Sequence, residues 1–293
     1  MVRHIVGTMG VSQSWYSDKI TPNQPLNGSA KRRRRLVPSC VARRRPVNGI
    51  TLGVPERSSM PSLNSVSFDD ANFTLQGDQG GARVWHSAQG DAIGLFYFDK
   101  VPDISASLDS VDDLRNFYRS SAMAAGLAVI EIERLLVQGL VAIRTVFKAP
   151  QEPSGMTYMG AITLPFREFS YVIKVQCAEH GVTGVREVAL LAEMAGAGQL
   201  DLANISRGEW SGWMQDPYDA SVRAPLMRNL AEDERYDARF PDHPLSRVRS
   251  ILGHVQSSLR IDAEIMSAAP FIFERRVNSG SQHLRGRPWW KIW

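Results

Sequence analysis

The run 169–177 constrains the fold more than any other stretch of this chain. Phe169, Tyr171, Ile173, Val175 and Cys177 alternate with Ser170, Lys174 and Gln176. A period of two puts successive side chains on opposite faces of an extended strand, so the pattern predicts a ribbon with one face buried and the other wet. Three more strand-like runs precede it, at 129–137, 141–148 and 156–164, and three earlier ones lie at 73–76, 82–87 and 92–99. Gln138-Gly139 offers a tight hairpin turn and residues 150–155 a looser one. Consecutive strands joined by short turns pair antiparallel, because a parallel pair needs a long crossover.

Helices punctuate this order. Ser110 can cap a helix start, with Asp113 at the capping-box position, and Val111, Leu114, Phe117, Tyr118, Ala122 and Ala125 follow at helical spacing up to Gly126. A second helix is expected after Thr183, its proposed cap, running to about Met194. A third opens at Asp242-His243-Pro244 and carries the stripe Leu245, Val248, Ile251, Leu252, Val255 and Leu259. The expected fold class is α+β: a twisted antiparallel sheet of six or seven strands with helices packed on one face, plus a C-terminal helical extension. The corresponding units are a basic tail (1–62), a core domain (63–195), an extension packed on it (196–277) and a Trp-rich tail (278–293).

The formal net charge of +4 hides two unlike regions. Residues 1–59 hold eleven Lys and Arg against two acids, which leaves the rest of the chain near −5. The tail lacks any sustained period and reads as disordered, or as sequence upstream of a start at Met60. The mildly acidic remainder argues against nucleic-acid binding by the folded domain. Cys40 and Cys177 are too few for a disulfide scaffold or a cysteine zinc site. With no apolar run of membrane-spanning length and no signal-peptide pattern, a cytoplasmic location is expected.

Known catalytic signatures are absent from the sequence. It has no nucleophile elbow, no phosphate loop, no dinucleotide glycine fingerprint and no His-Glu-x-x-His. No cofactor, metal or catalytic residue is expected on that basis. What remains is weaker. His180, Thr183, Gly184 and Arg186 surround a helix start and could hold an anion; the plain alternative is a surface turn in which Thr183 caps the helix and Arg186 and Glu187 form solvent-facing pairs. Asp233, Glu234, Asp237, Asp242 and His243 form a carboxylate-rich run without calcium-loop spacing, read as solvated charge. Glu131 and Glu133 share one strand face, while Arg134, opposite, needs a partner if buried. At the C-terminus, Trp289, Trp290 and Trp293 sit beside cations and can dock on the domain itself, on a partner or at a membrane surface.

The order of elements, together with Tyr158-Met159-Gly160, Leu164-Pro165-Phe166, Ser170-Tyr171-Val172-Ile173-Lys174-Val175 and Gly181-Val182-Thr183-Gly184-Val185-Arg186-Glu187, resembles the PsbP-like fold over roughly residues 70–195. That fold includes DcrB-like proteins and the Eag chaperones of type VI secretion. The resemblance implies a non-enzymatic binding protein and brings no catalytic residues. The expected function is therefore a bacterial protein-binding module of adaptor or secretion-chaperone type, with an unidentified protein partner and homodimerisation open. The alternatives are an enzyme using the 179–187 turn and a toxin-neutralising immunity protein.

Overall fold

The computed structural model describes residues 60–210 and 212–274. Residues 1–59 of the basic arm and Trp289, Trp290 and Trp293 lie outside the described residues.

Seven strands form one antiparallel sheet: β2 (Thr74–Gln79), β3 (Ala82–His86), β4 (Ala92–Phe98), β5 (Ala128–Val137), β6 (Leu140–Pro150), β7 (Met156–Pro165) and β8 (Ser170–Ala178), in the spatial order β2-β3-β4-β8-β7-β6-β5. A separate two-stranded ribbon joins β1 (Val66–Ser67) to β9 (Arg260–Ile261). The sheet consists of two meanders. Helix α1 (Val111–Ala124) carries the chain from β4 to the far edge, and β8 returns to pair with β4. The turn between β5 and β6 has positive φ at both Gln138 (50°) and Gly139 (86°), the backbone that a two-residue hairpin of native twist demands. At the β5 edge the Tyr218 hydroxyl accepts from the Ile132 amide (2.6 Å) and donates to the Ile132 carbonyl (3.1 Å), doing what a neighbouring strand would do.

The α+β class and the antiparallel sheet are as expected; the helices, however, cover both faces. On one face Ala142, Val146, Tyr158, Ile162, Tyr171, Ile173 and Val175 pack with α4 (Pro244–Ser258) through Leu245, Val248, Leu252 and Val255. On the other, Ile143, Ala161, Val172, Val129 and Ile132 pack with α1 through Leu114, Tyr118 and Ala122. The polar alternation in β8 therefore does not mark a wet face. Ser170 and Lys174 are both buried, and the Lys174 ammonium lies 5.1 Å from the centre of the Phe96 ring, with its methylene stem inside. Arg134 needs no buried partner, because it is exposed.

Helix α4 contributes its apolar stripe to the principal core. It approaches the sheet at Gly160, where an added Cβ would sit 2.5 Å from Leu252 Cδ1 and 2.7 Å from Val248 Cγ1. Between β8 and α4 the chain forms α2 (Val185–Gly196), the short α3 (Leu202–Ser206) and two 3-10 segments, Leu230–Glu232 and Glu234–Arg239. Leu190 and Met194 of α2 meet Trp213 and Ala231 in a smaller cluster. Trp213 is buried, whereas Trp210 is exposed. The last described helix is α5 (Ala263–Met266).

Candidate functional site

The residues that follow β8 make a sharp passage into α2. Gly181 and Gly184 both have φ of 72°, a region open to glycine at little cost. Gly184, not Thr183, occupies the cap position, and the capping acceptor comes from upstream: Glu179 Oε1 accepts from the Gly184 amide at 2.8 Å. Glu179 Oε2 accepts from the Met156 amide, also at 2.8 Å, tying the turn to the start of β7. Thr183 instead donates to the Ser154 hydroxyl at 3.4 Å.

Arg186, in the first turn of α2, is 0% exposed. Its guanidinium donates to the carbonyls of Ala231 (2.6 Å) and Asp233 (2.8 Å), to Asp237 Oδ1 (2.9 Å) and to the Ser246 hydroxyl (2.9 Å). The expectation of a surface pair between Arg186 and Glu187 is thus overturned: the arginine fastens α2 to the 231–237 segment and to α4. Removing one partner of so buried a charge typically costs 3–5 kcal/mol. The quartet considered as an anion site is split in the same way. Arg186 is spent on internal partners, while His180 stands exposed at the mouth of the cleft.

Within the carboxylate run 233–243, Glu234 and Asp242 are exposed as expected, whereas Asp237 is structural. Asp237 accepts from both Arg186 and Arg249, the latter at 2.9 and 3.1 Å. Arg249 reaches on to Glu131, which explains that acid; Glu133 on the same strand is exposed. Two neighbours extend the pattern. Lys148 bonds Glu232 Oε2 at 2.8 Å while the Tyr158 hydroxyl donates to Oε1 at 2.7 Å, and Arg247 forks onto Asp91 at 2.9 and 3.0 Å.

A cleft of about 360 Å³ remains at the junction of this network, lined by Glu179, His180, Val182, Phe240, His243 and Arg247 among others. His243 caps α4 by accepting from the Leu245 amide through Nδ1 at 3.3 Å. Its side chain is only 7% exposed, and its Nε2 has no hydrogen-bond partner. That atom faces Glu187 Oε1 at 3.5 Å and Glu179 Oε1 at 3.9 Å. Burial, with the nearby Arg186, Arg247 and Arg249 charges, drives the imidazole pKa down to about 3, so the ring is neutral at physiological pH. Glu187 moves the other way. Burial raises its pKa, and the Glu232 and Glu179 charges push in the same direction; its Oε2 also lacks a partner. Donor atoms of Glu179, Glu187 and His243 all lie within 4.8 Å of one another. Sequence reasoning placed Glu187 in a surface pair and His243 in a solvated run. Their meeting depends on α2 and α4 converging across 56 residues of separation, which no local pattern encodes.

Among the described residues, no helix is long and apolar enough to cross a membrane. No family model and no curated protein matches the chain. Among solved structures, one from Bacteroides thetaiotaomicron VPI-5482 is similar over 42% of this chain and 41% of its own, at 6% identity and a TM-score of 0.28. The Ran-binding protein Mog1p of Saccharomyces cerevisiae is similar over 47% of this chain and 80% of its own, at 10% identity and a TM-score of 0.30. The chain thus spans less than half the length of the first of these.

Proposed function

We propose that this chain is a non-catalytic protein-binding module of adaptor or secretion-chaperone type, with a PsbP-like core, and that its partner docks on the outward side of α2. One observation carries this reading. Val182, Val185 and Val188 are 82%, 52% and 67% exposed and follow one another at three-residue spacing, from the turn before α2 into its second turn. Ala189 and Ala192 are exposed on the same helix. A single exposed valine needs no explanation, whereas a row of them on a helix marks an interaction surface. β-branched residues also gain little from an exposed helical position.

The test is a capture experiment from the native host with the full chain, comparing wild type with the double variant V185D/V188D. The variant is expected to melt within a degree or two of wild type, because both side chains are already in water, and to lose the captured protein. Undiminished capture by a folded variant would sink the proposal.

A further inference from the structure

The ionic groups around the cleft are matched with one exception. Arg186 and Arg249 face Asp237, Arg249 also faces Glu131, Lys148 faces Glu232, and Arg247 faces Asp91. Among the described residues, Glu179 and Glu187 have no Lys or Arg within ion-pair distance; the basic group within that distance of both is His243. Two carboxylates thus converge, both largely out of water, on an imidazole nitrogen that is itself buried and unpartnered. Such an arrangement lacks a positive charge.

We propose that Glu179, Glu187 and His243 form a binding site for a divalent transition-metal ion of the zinc type. The spacing suits it. Two donors each about 2.1 Å from a common ion lie at most about 4.2 Å apart, and Nε2 of His243 is 3.5 Å from Glu187 and 3.9 Å from Glu179. One imidazole with two carboxylates is a borderline donor set, which suits zinc better than a hard, all-oxygen ion such as magnesium. Both Glu179 oxygens already accept one backbone amide each and retain a lone pair, so the carboxylate is fixed in place as an outer set of hydrogen bonds would fix it. Glu179 and His243 line the open cleft, which gives the ion its path. Ligation through Nε2 moves the ring proton to Nδ1 and so gives up acceptance from the Leu245 amide. That contact, 3.3 Å long, is a weak one to exchange for a metal–nitrogen bond.

Titration of the full chain with Zn2+ against a chromophoric chelator tests the site, alongside the variants E187Q and H243N. Gln replaces a carboxylate with one unpartnered oxygen by a near-isostere, and Asn preserves a side-chain acceptor at the α4 cap, so both should fold like wild type. Wild type is expected to take one Zn2+ at this site and to melt higher with it, while each variant loses at least about tenfold in affinity and the added stability. Mg2+ in place of Zn2+ should produce neither effect. Zn2+ uptake by wild type that both variants retain, or no uptake by wild type at all, overturns the proposal. The single variant V188D, at a position that does not line the cleft, should bind Zn2+ normally, which separates failure of this site from failure of the docking surface.

Discussion

Lys174 sits in the middle of β8, inside the face covered by α1, and burial holds its ammonium pKa down to about 8. In the unfolded chain the same group titrates near its ordinary 10.5. Below pH 8 it is protonated in both states, and the folded state bears the whole penalty of a buried charge. Between pH 8 and 10.5 the unfolded state holds more protons, so this group makes stability rise with pH, and above that window the penalty is gone. K174M should therefore stabilise the protein by about 1–3 kcal/mol at pH 7. Urea denaturation of both proteins at pH 7 and pH 10 should show the gap narrow at the higher value; a gap that widens would contradict the sign. The same residue marks the limit of reading polarity from sequence. A lysine between Ile173 and Val175 looks like the wet side of a strand, yet its four methylenes and a facing Phe96 ring let it be buried. Arg186 misled in the same manner, because the carbonyls and carboxylate that receive it come from 45 to 51 residues downstream.

At the scale of elements, local patterning located the seven strands of the sheet and the three long helices, but not the β1–β9 ribbon or the short helices α3 and α5. The strands began and ended within three residues of their expected limits, Ser110 capped α1 by accepting from the Asp113 amide, and the apolar stripe of α4 proved to be core. What the patterns could not supply was which elements touch. The stripe on α4 says that the helix buries one side; it does not say that it lies across β7 and β8 in the same core as the ribbon residues. Gly160 is the point where that packing is decided. G160A would place a methyl group against Leu252 and Val248 and should cost roughly 1–3 kcal/mol, the usual range for overpacking. Thermal denaturation would measure it, and combining it with L252A, itself costly, should give a total loss smaller than the sum of the two because the truncation makes room. An additive result for the two changes would show that α4 does not press on β7 at this point.

For the molecule as a whole, Cys177 reports on cooperativity. It is fully buried at the end of β8, and burial raises its thiol pKa far above the ordinary value, with the Asp91 carboxylate adding to the effect. Its modification by a thiol reagent therefore requires the sheet to open. In a C40A background, labelling of Cys177 should be slow under native conditions and should accelerate with urea along the same curve as loss of circular dichroism. Labelling that runs well ahead of that curve would show β8 opening on its own.

The phenol of Tyr218 has a bearing on how such a molecule survives at high concentration. By occupying both main-chain groups of Ile132 it stands guard over the outermost ribbon on that flank, so a second copy that tries to zip itself on there finds its first two rungs already taken. The opposite flank is blunted in another way, since Thr74–Gln79 is short, kinked by a register shift after Leu75, and carries Asp78.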